Sequence, residues 1–266
     1  MNDQSRTVQL FVTCIVDTLY PEIGEAVVRV LERAGVRVEF PPDQTCCGQP
    51  AFNAGLWSQA KTMAKHTIRV FEATSGPIVV PSGSCAAMLR HHYLELFRND
   101  PSWLARAEKL AERIFEFTEY LVDRLGIVDL GAQFNGLLTY HSSCHLLRML
   151  GIDRQPRALL AHVRGARIVE LSGTQECCGF GGVFSIEHPE LSAAMLDRKI
   201  ADIAAAGADT VVACDAGCLT HINGGLHRQG KKQRAVHIAQ ILEGRGQSAL
   251  ARPTADQGLK GPRGRG

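Results

Sequence analysis

The chain begins with short segments whose apolar spacing switches between a strand pattern and a helix pattern. Val8–Val12 is a largely apolar run, partly β-branched, which predicts a strand. Pro21–Ala34 places apolar residues three and four positions apart and is followed by Gly35, a typical residue after a helix. Val36–Phe40 alternates again between apolar and polar side chains. The order strand, helix, strand predicts parallel pairing and an α/β fold.

The same alternation continues through the rest of the chain. The further predicted strands are Ile78–Val80, Leu137–Tyr140, Ile168–Leu171 and Thr210–Ala213, and the further predicted helices lie around Leu56–Phe71 and Pro189–Ala206. We therefore expect two units, each with a parallel β-sheet flanked by helices.

A different pattern separates these two sets of segments. Behind Pro101, residues recur at spacings of three and four; they are Leu104, Ala107, Ala111, Ile114, Thr118, Leu121 and Leu125. This spacing predicts one long amphipathic helix that packs as a bridge between the two units.

The cysteines show that the chain is an internal repeat. "QTCCGQP" in the first half matches "QECCGFG" in the second, and "VVPSGSC" matches "VVACDAGC". The matched pairs are Cys14 with Cys144, Cys46 with Cys177, Cys47 with Cys178, and Cys85 with Cys218, at offsets of 130, 131, 131 and 133 residues. Offsets this constant indicate duplication, with the cysteines retained in both copies.

The repeat predicts the domain organisation. We expect a first repeat over residues 1–98, a helical bridge over 99–134, a second repeat over 135–243, and a disordered tail over 244–266 that is rich in Gly, Arg and Pro.

In the predicted fold each repeated cysteine follows a strand. Because the carboxyl ends of parallel strands share one edge of a sheet, where α/β folds bind their ligands, each half should gather four thiols at one site. The first thiol set is Cys14, Cys46, Cys47 and Cys85, and the second thiol set is Cys144, Cys177, Cys178 and Cys218. We predict that both sets bind a metal cofactor.

Four convergent thiolates suit an iron-sulfur cluster or a structural zinc ion. The directly adjacent cysteine pair fits two metals of one cluster better than one tetrahedral ion, which favours one or two iron-sulfur clusters, with [4Fe-4S] as the expected type. Zinc at one site, in a zinc-stabilised structural scaffold, stays an alternative. So does a thiol-disulfide redox protein that uses the adjacent cysteines.

Cys214 and two histidines are the remaining residues that could take part in the chemistry of the site. Cys214 has no repeat partner and is expected to be a small buried apolar residue. A catalytic thiol beside His141 or His145 is conceivable, but the first half has no histidine counterpart, with Val12 and Ile15 at those places. No catalytic residue is assigned.

Composition and charge exclude some classes of protein and of binding partner. Hydrophobic residues make up 45% and charged residues 21%, values typical of a folded globular protein. The net charge of +2 comes from a basic tail, and no basic face or nucleic-acid motif is present, so nucleic acid is not an expected partner. No segment is long enough for a transmembrane helix, and nine cysteines without a secretory signal indicate a reducing, cytoplasmic location.

The chain contains two copies of one cysteine pattern: Cys, about 31 residues, Cys-Cys-Gly, about 37 residues, Cys. This pattern resembles the signature of the cysteine-rich "CCG" domain family. The resemblance covers residues 7 to 243. Within the family, "LFVTCIVDTLYPEIG", "TCCGQPAFNAG", "PSGSCAAM", "YHSSCHLLRMLG" and "CCGFGGVFS" are most similar to the lactate utilization A group; the heterodisulfide reductase B and glycolate oxidase iron-sulfur subunits are related. The resemblance implies an electron-transfer subunit that works with sister subunits of a complex oxidising L-lactate to pyruvate.

One feature departs from the fullest family motif, which ends in Cys-x-x-Cys and implies five thiolates per site. The first of those two positions is Ser82 in one half and Asp215 in the other. Four thiolates per site remain, enough for an ordinary cluster, and Cys214 stands one residue before Asp215.

Overall fold

The computed structural model describes residues 6–244 and contains two four-stranded, entirely parallel sheets with helices packed on both. The strands are β1 (Thr7–Leu10), β2 (Arg37–Glu39), β3 (Ile78–Val80), β4 (Ile114–Glu116), β5 (Gln133–Tyr140), β6 (Arg164–Ile168), β7 (Thr210–Ala213) and β8 (Arg234–His237). The predicted α/β class with two repeated units is confirmed.

Short and long helices alternate with these strands. They are α1 (Cys14–Leu19), α2 (Pro21–Arg33), α3 (Gln49–Asn53), α4 (Trp57–Glu72), α5 (Gly83–Ala87), α6 (Tyr93–Phe97), α7 (Pro101–Ala111), α8 (Phe117–Glu119), α9 (Arg154–Ala161), α10 (Phe184–Glu187), α11 (Pro189–Ala206), α12 (Ala216–Arg228) and α13 (Ile238–Leu242). π-Helical turns occupy Met88–His92, Tyr120–Arg124 and His145–Met149. None of the helices within residues 6–244 is long and apolar enough to span a membrane.

The two sheets share one topology. The first sheet has the order β2-β1-β3-β4 and the second has the order β6-β5-β7-β8, so each strand has a counterpart at the same place in the other sheet. In both, the first strand of the half lies between the second and the third. The order changes direction at that strand, and ligands of open α/β sheets bind at such switch points.

The two halves pack on a continuous hydrophobic core. Val8 and Val30 of the first half belong to the same buried cluster as Leu138, Val212 and Leu242 of the second. Helices α2 and α13 lie against each other, and Arg33 donates hydrogen bonds to backbone carbonyls at the end of α13. Burial of apolar surface thus holds the halves in one arrangement.

The strand predictions are confirmed with small shifts, except at one edge. β6 ends at Ile168, where the sequence predicts a strand over Ile168–Leu171. Most β6 side chains are exposed, so this edge strand lacks the apolar pattern by which the other strands are recognised. Backbone pairing with β5 sets its position instead.

The predicted long bridging helix is wrong. Helix α7 ends at Ala111, and the chain then forms β4, which pairs with β3 and completes the first sheet. Ile114 and Glu116 are buried in that strand. The residues at helical spacing therefore lie in a helix, then in a strand, and then in a helical turn.

The domain boundaries stay predictions. The predicted tail, apart from Gly244, lies outside the described residues.

Candidate metal centre

The first thiol set lies at the carboxyl edge of the first sheet. Cys14 is the first residue of α1, just after β1. Cys46 and Cys47 lie on the loop between β2 and α3, and Cys85 lies in α5, directly after β3. Cys47 and Cys85 are buried, whereas Cys14 and Cys46 are partly exposed.

The second thiol set repeats this placement. Cys144 follows β5, Cys177 and Cys178 lie on the loop after β6, and Cys218 lies in the first turn of α12, after β7. The burial repeats as well, because the exposed fraction is 2% for both Cys47 and Cys178 and 7% for both Cys85 and Cys218. The predicted convergence of four thiols per half is what the geometry shows.

Within each set the sulfur atoms are close to one another. The Sγ atoms of Cys14 and Cys46 are 3.6 Å apart, and those of Cys47 and Cys85 are 3.5 Å apart. In the second set the Sγ atoms of Cys144 and Cys177 are 3.9 Å apart. All eight cysteines are free thiols. Soft thiolates suit iron or zinc, so the donor set of each half fits an iron-sulfur cluster or a zinc ion.

One cavity contains both sets. All eight repeated cysteines line it, together with polar residues that include Gln49, Ser84, His145 and Asp215. The sequence predicts two separate sites, whereas the packing of the halves turns their two carboxyl edges toward each other. The structure therefore places both thiol sets on the walls of a single space.

The glycine of each Cys-Cys-Gly segment is required by the backbone. Gly48 has φ of 87° and Gly179 has φ of 91°, in the left-handed region that other residues rarely adopt. A side chain at Gly179 would also lie 2.6 Å from the carbonyl oxygen of Ser192 in α11. These glycines fix the direction in which the adjacent thiols leave the loop.

Neighbouring thiols distribute protons unevenly. The Cys14 thiol, with a smaller contribution from Cys47, lowers the pKa of Cys46 to about 3. Likewise the Cys144 thiol, and then Cys178, lowers the pKa of Cys177 to about 2. The same contacts, followed by burial, raise the pKa of Cys14 and of Cys144. Each set thus holds a thiolate beside protonated thiols, and a bound metal would release the remaining protons.

The positions of the missing fifth cysteines meet at the contact between halves. The Ser82 hydroxyl donates to Oδ2 of Asp215 at 3.0 Å, and the backbone N–H of Ser84 donates to the same oxygen at 2.8 Å. The backbone N–H of Gly83 donates to the carbonyl of Cys214 at 3.3 Å. We call these residues, 82–84 and 214–215, the inter-half contact.

Cys214 lies in the hydrophobic core. Its side chain is fully buried, does not line the cavity, and lies 4.0 Å from the Tyr140 hydroxyl. Burial raises the pKa of its thiol, which keeps it protonated. This environment agrees with the small buried residue that the sequence predicts.

The two histidines occupy different places. His145 lines the cavity, with Nδ1 3.6 Å from Sγ of Cys144 and Nε2 3.4 Å from Nε2 of Gln49. His141 is fully buried, and one of its ring nitrogens and the sulfurs of Cys178 and Cys218 all lie within 4.8 Å of one another. The sequence pattern assigned His141 no role, although its place directly after a strand was an available signal.

Comparison with known proteins agrees with the repeat. The CCG cysteine-rich domain family matches the chain twice, over residues 8–90 and 138–223. The chain is 47% identical to lactate utilization protein A of Exiguobacterium sp. (strain ATCC BAA-1283 / AT1b), over 88% of this chain and 96% of that protein. It is 48% identical to lactate utilization protein A of Geobacillus kaustophilus (strain HTA426), over 90% and 99%.

A solved structure shares the fold. A crystal structure of a hypothetical protein from Helicobacter pylori superposes with a TM-score of 0.61 at 12% sequence identity, covering 89% of this chain and 48% of that one. At this identity the likeness extends to the fold alone.

Proposed function

We propose that this chain, which belongs to the CCG cysteine-rich domain family, is an iron-sulfur electron-transfer subunit of a multi-protein complex oxidising L-lactate to pyruvate. The relatives reported above are named lactate utilization protein A. The observation that carries the proposal is the placement of two four-thiol sets on one cavity.

The thiols would act as cluster ligands. Cys14, Cys46, Cys47 and Cys85 would hold one cluster, and their counterparts in the second thiol set would hold the other. Such clusters, when bound, supply one-electron transfer at potentials set by ligands and surroundings. The chain's own residues hold the thiolates in place, and the buried members of each set keep solvent from one side of the site.

The cavity wall supports electron relay rather than catalysis on lactate. No lysine or arginine in the described part of the chain lines the cavity, and its one acidic lining residue, Asp215, bears the same charge as a lactate carboxylate. Carboxylate recognition ordinarily uses a cationic side chain. Lactate oxidation releases two electrons and two protons, so a sister subunit would bind lactate and pass the electrons to this one.

A cytoplasmic location belongs to the same proposal. Reducing compartments keep cysteines as thiols, in the state required to bind iron.

Metal analysis tests the cofactor. The full chain, purified without oxygen, should contain iron and acid-labile sulfide and should be brown. A colourless protein that contains zinc and no sulfide would support the structural scaffold instead.

Reconstitution tests the role. The isolated chain should show no lactate-dependent dye reduction, whereas the complex with its sister subunits should. The matched control is the complex assembled with a Cys47→Ser, Cys178→Ser double variant, which should stay inactive. Lactate turnover by the isolated chain would contradict the assignment.

One observation favours a second candidate, a thiol-disulfide redox protein. Cys46 is partly exposed, its lowered pKa makes it a thiolate, and the Cys14 thiol is its neighbour. Metal-free protein that reduces a small disulfide, and loses this activity in Cys46→Ser, would support that candidate.

A further inference from the structure

The residue that follows the first strand of each half differs between the two thiol sets. The backbone N–H of Phe11 donates to the carbonyl oxygen of Val79 at 2.9 Å, and the backbone N–H of His141 donates to the carbonyl oxygen of Val212 at 2.9 Å. These equivalent bonds pair His141 with Phe11, and not with Val12 as expected from the sequence. The position that carries a phenyl ring in the first half thus carries an imidazole ring in the second.

His141 is an unusual buried polar group. Its side chain is fully buried, and neither ring nitrogen has a hydrogen-bond partner within residues 6–244. A buried polar group left without a partner destabilises the folded state. Phe11, by contrast, packs against Phe71 with ring centroids 5.7 Å apart, as expected of a core residue. The imidazole needs a partner that the protein atoms alone do not supply.

The surroundings of His141 point to a metal as that partner. One of its ring nitrogens and the sulfurs of Cys178 and Cys218 lie within 4.8 Å of one another. Histidine nitrogens and cysteine sulfurs bind metals at about 2.0–2.3 Å, so ligands of one metal lie up to about 4.6 Å apart. The three side chains are therefore close enough to bind the same metal centre.

We propose that His141 is a ligand of the metal centre of the second thiol set, beside Cys178 and Cys218. This inference rests on the proposed function. Because the ligands of an iron-sulfur centre set its potential, a histidine ligand would give the second centre a potential different from that of the first. Phe11 cannot bind a metal, so the two centres would differ in their ligands.

Isotope labelling tests the ligand directly. The full chain is reconstituted with iron and sulfide, labelled with ¹⁵N only in histidine, reduced, and measured by electron-nuclear double resonance. A strongly coupled nitrogen that changes with the label is expected. Because this measurement uses the unaltered chain, it decides the question even if a variant fails to fold.

Two variants locate the nitrogen. His141→Phe, which installs the residue of the first half, should remove the coupling and shift the midpoint potential of one centre. His145→Ile, the matched change at the histidine beside Cys144, should keep the coupling. Loss of the coupling in His145→Ile, or its persistence in His141→Phe, would overturn the inference.

The outcomes separate this inference from the proposed function. Iron and sulfide without a coupled histidine nitrogen would overturn the inference alone. A chain that binds neither iron nor sulfide would overturn both.

Discussion

The Ser82 hydroxyl donates a hydrogen bond to the Asp215 carboxylate at 3.0 Å, so the two residues that stand in place of a fifth cysteine bind each other across the molecule. Both line the cavity that holds the eight thiols. Replacement of a thiol in each half thus coincides with a polar bond that joins the halves. This contact lies in the wall of the cavity that both thiol sets share.

Asp215→Ala should weaken the inter-half contact. The carboxylate accepts from Ser82, from the backbone of Ser84, and from the backbone of Gly217, where it caps α12. Losing the cap and leaving buried donors without a partner should lower the free energy of unfolding by about 3 kcal/mol. Urea unfolding measures the change.

Asp100→Ala is the matched control for that variant. Asp100 caps α7 from a partly exposed position and accepts hydrogen bonds from Ser102 and Trp103 nearby in the chain. Its removal should cause a smaller loss of stability. Equal losses for the two variants would mean that the bonds between the halves add nothing to the cap.

Gly83→Ala should disturb the same contact by steric overlap. A β-carbon at Gly83 would lie 2.8 Å from the β-carbon of Leu146 in the other half. Relieving this overlap should cost about 1–3 kcal/mol of unfolding free energy. Thermal unfolding of the metal-loaded chain measures it.

Gly224→Ala serves as the control, since a β-carbon there meets nothing within 4 Å. Because alanine favours a helix over glycine by about 1 kcal/mol, this change within α12 should stabilise the protein. A Gly83→Ala variant as stable as Gly224→Ala would show that the halves are not held closely at this point.

The sequence predicted the thiol sets because a cysteine after each parallel strand must reach the carboxyl edge. It missed β4, because Ile114 continues the helical spacing of α7 and no glycine or proline marks the change. It also missed the shared cavity. The orientation of the halves depends on contacts such as Ser82 with Asp215 and Gly83 with Leu146, which no repeat or periodicity encodes.

Glu116→Gln should change how stability depends on pH. Burial raises the pKa of Glu116 to about 7, and its Oε1 has no hydrogen-bond partner among the residues described. The unfolded chain releases this proton near pH 4.3, so between about pH 4.3 and 7 the folded state binds more protons and stability falls as pH rises. Over that window the loss should reach about 4 kcal/mol, since each pKa unit is about 1.4 kcal/mol.

The variant stays neutral, so it should match the native chain near pH 4 and exceed its stability near pH 8. Burial also lowers the pKa of His237 to about 4, which reduces stability as pH falls below about 6.5. Both proteins share this effect, so the difference between their urea-unfolding curves isolates Glu116. A difference that does not vary between pH 4 and 8 would show that this carboxyl is not held protonated.

Iron content across a cysteine series tests most directly the claim that the chain holds one iron-sulfur centre per half. Cys47→Ser and Cys178→Ser should each remove about half of the iron and sulfide, and the double variant should remove nearly all of both. Cys214→Ser is the matched control: its thiol is buried outside the cavity, so iron content should stay unchanged, with a loss of about 1 kcal/mol in stability. Unchanged iron in Cys47→Ser, or a loss in Cys214→Ser equal to that in Cys178→Ser, would contradict the account.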